Sequence, residues 1–379
     1  MTDIYEQSVD LHRKNGGKIA LANKIAIENK DDLSLAYSPG VAGASRAIDA
    51  DVAEAKQLTL KKNTIGVVSD GSAILGLGNL GPHAAIPVME GKAALFKRFA
   101  DVDAFPICVD TQDTEEIIAT VKRIAPVFGG INLEDISAPR CFEIEERLRA
   151  ELDIPVMHDD QHGTAVVVLA GLMNALKLRG GTKEELTVVM NGAGAAGVAI
   201  ADILRVWGVG NIICCDSKGI ISSKRDDLND VKKRLRTMSN KNDIHGQLAD
   251  AIADADVFIG VSVAGALTQD MIASMRDKPV IFALANPEPE IMPDMAHAAG
   301  ALVVATGRSD FSNQVNNVLA FPGIFRGALD NGITQFRNEM FVAAAEAIAG
   351  CITETRPDYV IPDPFDVSVP ERVAAVIVE

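Results

Sequence analysis

Runs of consecutive apolar residues, bounded by Gly, Asp or Asn, alternate along this chain with stretches of helical period. Before about residue 150 the series is TIGVVSD (64–70), PVMEGKAALFKRFA (87–100), AFPICVD (104–110) and TEEIIATVKRIAPVF (114–128). That alternation predicts βαβα and hence a small parallel sheet covered by helices. A second series begins with IPVMHDD (154–160) and the long apolar helix TAVVVLAGLMNALKL (164–178). It continues through LTVVMN (186–191), NIICCDSKG (211–219), ADVFIGVS (255–262), PVIFALANP (279–287) and ALVVATG (301–307). Such runs are what strands buried on both faces look like, so the second half is expected to be a doubly wound, Rossmann-type sheet. The expected organisation is an N-terminal α/β domain over residues 1–155 and a nucleotide-binding domain over 156–379, with FVAAAEAIAG (341–350) and the tail free to pack back on either.

Composition narrows the class. Of 379 residues 48% are hydrophobic and 23% charged, which fits a two-domain α/β protein with a filled interior. No apolar run reaches the roughly 18 to 20 residues of a membrane span, and MTDIYEQSVDLHRKNGGK lacks the apolar core of a signal peptide, so a cytoplasmic enzyme is expected. Cys108, Cys141, Cys214, Cys215 and Cys351 form no CxxC pair and read as reduced, packed thiols. A net charge of −16 argues against nucleic acid, and the one basic cluster, KKRLRTMSNKN from Lys232, reads as a solvated helix face.

Two glycine runs share the dinucleotide-binding spacing: GLGNLG at 76–81 and GAGAAG at 192–197. The second has the right surroundings. A buried strand leads into Gly192, Ala193, Gly194, Ala195, Ala196 and Gly197, an apolar helix follows, and the next strand ends in Asp216. An acid there can accept the adenosine ribose hydroxyls, which favours NAD, while Ser217 and Lys218 beside it leave NADP open as receivers of a 2′-phosphate. Around the first run a DG turn precedes the glycines, and Pro82 and Pro87 follow, so a loop is expected there rather than a strand-to-helix fingerprint.

Candidate chemistry clusters near that loop. Lys92 has Val88, Ala93, Ala94 and Leu95 as neighbours, and desolvation of that kind is expected to lower its pKa toward a general base's. Glu134 and Asp135 follow one strand and Asp159 and Asp160 follow another, where open α/β sheets place their ligands. Several carboxylates meeting there need a cation, and oxygen donors suit Mg²⁺ or Mn²⁺. Taken alone, each acidic pair reads as a helix cap, and HDDQH lacks a third nitrogen or sulfur ligand for zinc.

YSPGVA (37–42), DGSAILGLGNLGPHAAIPVMEGKAALFK (70–97), NLEDI, HDDQHGTA, NGAGAAG, ALANPEPE and NQVNNVLAFPGIFRGAL together closely resemble the short prokaryotic malic enzymes, from about Leu11 to about Gly350. The resemblance implies oxidative decarboxylation of L-malate to pyruvate and CO₂, with NAD(P)⁺ reduced and a divalent cation required. It implies Tyr37 as general acid, Lys92 as base and Asp159 as the acid assisting Lys92. It also implies Glu134, Asp135 and Asp160 as metal ligands, Asn286 near the nicotinamide ribose and substrate, and Asn317 on a malate carboxylate. A homodimer sharing active-site residues is implied as well. A malolactic or oxaloacetate-decarboxylating lyase on the same residues is the alternative. Larger eukaryotic relatives carry a substrate-binding arginine just before the glycine loop, where this sequence reads Asp70-Gly71-Ser72-Ala73-Ile74. The phosphotransacetylase-like extension of some bacterial relatives is not expected.

Overall fold

The computed structural model describes residues 3–74 and 76–379. Four strands, β1 (Thr64–Ser69), β2 (Asp103–Cys108), β3 (Gly130–Leu133) and β4 (Val156–His158), form an all-parallel sheet of order β2-β1-β3-β4. Six more form a second sheet: β5 (Thr187–Asn191), β6 (Asn211–Asp216), β7 (Gly219–Ile220), β8 (Val257–Gly260), β9 (Val280–Ala283) and β10 (Val303–Thr306). Its order is β10-β9-β8-β5-β6-β7, parallel except for the short edge strand β7. The chain runs outward from β5 through β6, then returns to β8 on the other side. The crevice at the ends of β5 and β8 is thus the topological switch point, where such sheets take their ligands.

Burial explains the strand pattern. Every residue of β1, β3, β8, β9 and β10 is buried, because helices cover both faces. One face of the first sheet packs on Ile117, Ile118, Val121, Ile144 and Leu148. On the other, Ile65, Val67, Met89 and Phe96 join the core of the second sheet. The Phe96 ring meets Phe321 at 4.6 Å and Phe325 at 5.6 Å, edge to face, so the late helix Phe321–Asn331 seals the helix Pro82–Ala100.

Two elements differ from the sequence expectation. The helix that carries Lys92 starts at Pro82, directly after the first glycine run, and continues through Pro87. Pro82 occupies the first helical position, where no N–H is needed and φ is already helical, so it starts the helix instead of spoiling it. The helix after β4 spans Asp159–Arg179, beginning five residues before the predicted Thr164.

The N-terminal segment carries helices Ile4–Asn15, Lys30–Ala36 and Val41–Ala50, none with a buried residue. From residue 3 to residue 63 no described side chain is buried, and Ile4, Leu21 and Leu35 stand more than two-thirds exposed.

Candidate functional site

The site grows from the carboxyl ends of β3 and β4. Beyond β3, Glu134 N–H donates to Val68 O at 2.9 Å, prolonging the ladder with β1, and Asp135 then turns at φ 54°. Its N–H donates to Asp160 Oδ2 at 2.8 Å, tying the two strand ends together. One oxygen each from Glu134, Asp135 and Asp160 lies within 4.8 Å of the others. Adjacent acids that a regular strand would send to opposite faces thereby converge.

Lys92 enters from the helix Pro82–Ala100. Its Nζ is 2.6 Å from Asp159 Oδ2, 2.8 Å from Glu134 Oε1 and 4.2 Å from the centre of the Phe321 ring. Asn317 donates to the same Asp159 oxygen at 2.5 Å, and Asn132 donates to Glu134 Oε2 at 2.9 Å. Asp159 itself rests against Gly163: a Cβ there would fall 1.9 Å from its Oδ1. Asn132 and Gly163 escape sequence reasoning, although a glycine four residues past an acid in a helix's first turn was a usable signal.

The charge state of Lys92 departs from expectation. Burial does push against the ammonium, but Asp159 and Glu134 outweigh it and hold the pKa above the ordinary lysine value. The sequence supplied the apolar neighbours and hid the acids. Three carboxylates, Glu134, Asp159 and Asp160, draw on this ammonium. Burial accordingly raises Glu134 to about 7, and Asp159 and Asp160 to about 6, even with Lys92 drawing them down. Three convergent carboxylates make an all-oxygen donor set that fits Mg²⁺ or Mn²⁺.

Helix capping does not account for the Asp159-Asp160 pair. His158 is the N-cap residue, without a side-chain cap bond, and both acids sit in the first turn facing the cluster. Both histidines of HDDQH are tied to Glu145, His158 through its backbone N–H at 3.0 Å, and His158 Nε2 lies 3.3 Å from Asp160 Oδ2. His158 Nδ1 accepts from Gln161 Nε2 at 3.0 Å, and burial lowers its pKa to about 4, leaving it neutral. His162 pairs with the buried Glu145 at 2.9 Å and stacks on Phe341 at 4.7 Å.

Tyr37 is not in this cluster. It ends the helix Lys30–Ala36 with 68% of its surface exposed, on the segment that buries nothing. Asn286 lies against the first glycine run: a Cβ on Gly76 would meet its carbonyl at 2.9 Å, and one on Gly307 would meet its Nδ2 at 2.9 Å.

The second glycine run sits at the switch point. Gly192 N–H donates to Cys215 O at 3.0 Å, and Gly194 is the N-cap of the helix Ala195–Trp207, without a side-chain cap hydrogen bond. Ala193 and Ala196 pack against the main core. A Cβ on Gly192 would meet Val261 O at 2.6 Å, and one on Gly197 would meet Gly192 O at 1.9 Å. Both glycines are therefore required by close backbone packing, and the open helix N-terminus is a ready anion site. Asp216 ends the neighbouring strand, bound by Arg225 and Lys232.

Residues 16–149 match the family model "Malic enzyme, N-terminal domain" and residues 161–378 match "Malic enzyme, NAD binding domain". The chain belongs to the malic enzyme family. It is 57% identical over 377 residues to the bifunctional malic/malolactic enzyme of Bacillus subtilis, covering 99% of this chain and 92% of that one. It is 56% identical to the NAD-dependent malic enzyme of Geobacillus stearothermophilus, covering 96% and 76%. It is also 47% identical to an NADP-dependent malic enzyme of Rhizobium meliloti, covering 99% and 51%. The crystal structure of the NAD-dependent malic enzyme from Thermotoga maritima superposes with a TM-score of 0.96 at 48% identity, covering 100% of this chain and 99% of that one. Malic enzymes similar to this chain are thus named for either nucleotide. Among the described residues no helix is long and apolar enough to cross a membrane.

Proposed function

We propose that this chain oxidatively decarboxylates L-malate to pyruvate and CO₂ while reducing NAD(P)⁺, with Mg²⁺ or Mn²⁺ required. The observation that carries the reading is one buried lysine bonded to Asp159 and Glu134 beside three convergent carboxylates. Names of relatives 57% and 56% identical support it. Residues 1–155 form the substrate and catalytic unit, and residues 156–379 the nucleotide unit. The free thiols fit a cytoplasmic setting.

Lys92 takes the proton of the malate C2 hydroxyl as hydride leaves C2. A cation held by Glu134 would compete with Lys92 for that carboxylate's charge and weaken the hold on the ammonium. Asp159, kept in place by Asn317 and Gly163, then receives and returns the lysine's proton. Glu134, Asp135 and Asp160 hold the cation, which when bound neutralises substrate charge and stabilises the enolate left by CO₂. Asn317 binds a malate carboxylate. Asn286 meets the nicotinamide ribose and the substrate, beside the first glycine loop. The turn from Gly192 to Gly197 takes the pyrophosphate.

Tyr37 protonates C3 of the enolpyruvate, and it does so from a partner subunit. The exposed apolar side chains of the N-terminal segment support a homodimer in which that segment lies across the second copy. Sedimentation at assay concentrations is expected to give a dimer. A second reading, malolactic conversion of L-malate to lactate on the same residues, draws on the name of the 57% identical relative.

The assay combines purified protein, L-malate, Mn²⁺ or Mg²⁺, and each nucleotide, with reduced nicotinamide, pyruvate and lactate all followed. Pyruvate and reduced nicotinamide are expected in equal amounts. Lactate without net reduction would favour the second reading. Lys92→Ala is expected to cut turnover by about 10²–10⁴-fold while nucleotide binding persists; unchanged turnover would remove Lys92 from its role.

A further inference from the structure

Two side chains of HDDQH, His158 and Gln161, join Glu145 of the helix Arg140–Glu151 in a chain that ends on Asp160. None of the three is more than 5% exposed. Glu145 Oε1 accepts from the His158 backbone N–H at 3.0 Å, and Oε2 accepts from Gln161 Nε2 at 3.0 Å. Gln161 Nε2 also donates to His158 Nδ1 at 3.0 Å. Both protons of one amide are thereby assigned.

The direction of the chain follows from what each group can do. Glu145 also takes His162 at 2.9 Å, so it stands as a carboxylate that only accepts, and Gln161 has to present its nitrogen rather than its oxygen. An amide N–H aimed at Nδ1 needs a lone pair there, which places the proton of the His158 ring on Nε2. That Nε2 has no hydrogen-bond partner among the described residues, and it lies 3.3 Å from Asp160 Oδ2. The contact is long for a hydrogen bond and works as a dipole aimed at a charge. Asp160 Oδ2 accepts from Asp135 N–H at 2.8 Å as well, so backbone and ring approach the same oxygen. The opposite tautomer would set a bare lone pair against it.

We propose that Glu145, Gln161 and His158 are positioning residues: the acid at one end fixes the His158 tautomer, and the Nε2 proton turns Asp160 toward its cation at the other. None of the three is itself a ligand. The proposal rests on the reading of Glu134, Asp135 and Asp160 as the cation's ligands.

The first test is calorimetric titration of the full chain with MnCl₂, in the absence of malate and nucleotide. His158→Met and Gln161→Met, each checked for an unchanged melting temperature, are expected to weaken Mn²⁺ binding by about tenfold or more. His158→Gln, whose amide N–H can stand in for Nε2–H, is expected to keep most of the affinity. The pair decides. With Gln at 158 there is no tautomer left to fix, so adding Gln161→Met is expected to cost little further. An equal loss from Gln161→Met in both backgrounds would overturn the proposal, and so would full affinity in His158→Met. Absence of Mn²⁺ binding to the unsubstituted chain would instead remove the ligand reading, and the proposal with it. The second test needs no cation: ¹⁵N spectra of the histidine-labelled chain, with the His158 signals identified by their loss in His158→Gln. A bare Nδ1 and a protonated Nε2 are expected, and a proton on Nδ1 would overturn the proposal.

Discussion

The glycine runs 76–81 and 192–197 have the same spacing, and each leads straight into a helix, at Pro82 and at Ala195. What presses on them differs. The second is closed from within its own sheet, by Val261 O and by its own Gly192 O. The first lies against Gly71 on one side and, at Gly76, against the carbonyl of Asn286 from the loop after β9. Spacing therefore specifies a turn, and the element that comes to meet the turn decides what the turn is for. The charges beside the two runs differ in the same way: Glu134, Asp159 and Asp160 are raised by burial, whereas Arg225 and Lys232 outweigh burial and hold Asp216 down at about 2.

The harshest challenge to this contrast is Gly197→Val. With a backbone oxygen 1.9 Å from the new Cβ, strand and helix must separate. A loss of about 3–5 kcal/mol is expected in denaturant melts, together with loss of 5′-AMP binding. Retained affinity in a stable variant would show that the second run is not the nucleotide turn.

Acidity separates the two sites next. Glu134 at about 7 and Asp160 at about 6 stand above the ordinary carboxylate range. Between roughly pH 4 and 7 the folded, metal-free chain holds protons that the unfolded chain has released, so these groups' contribution to stability falls as pH rises. Asp216 has the opposite sign: its contribution is present above about pH 4 and is lost as pH falls toward 2. Mn²⁺ affinity is accordingly expected to rise about tenfold or more from pH 5.5 to 7.5, while 5′-AMP affinity stays level. A level Mn²⁺ profile would mean that these acids are not the ligands.

The mildest probe is Gly76→Ala. A methyl 2.9 Å from Asn286 O at φ +74° is expected to cost about 1–2 kcal/mol and to raise the malate KM several-fold, with 5′-AMP binding unchanged. Were adenosine binding to fall in step, the division of labour between the runs would collapse.

Strands buried on both faces were legible because their composition is continuous, and so were the acids at their ends. Less legible was anything set by partners distant in sequence. Lys92 looks desolvated among Val88, Ala93 and Leu95, yet Asp159, 67 residues on, decides its charge. Pro82 looks like a breaker until its position as first helical residue is known. The N-terminal helices have no apolar face answered within the chain, so no core signal betrays them. The cations on Asp216 come from a loop and a helix, 9 and 16 residues away, that carry no motif.

The helix Asp159–Arg179 leaves the first sheet at β4 and is buried along most of its length against the core of the second. Its first two residues are acids of the carboxylate cluster, while Glu134, Asp135 and Lys92 belong to the first sheet's elements. The lysine–carboxylate cluster is consequently a property of the seam, and the two halves are poor modules. Replacing the nucleotide half with another dinucleotide fold, cut anywhere before this helix, would carry off Asp159 and Asp160 with it. A graft that respects the chemistry has to cut within the helix, after Gly163.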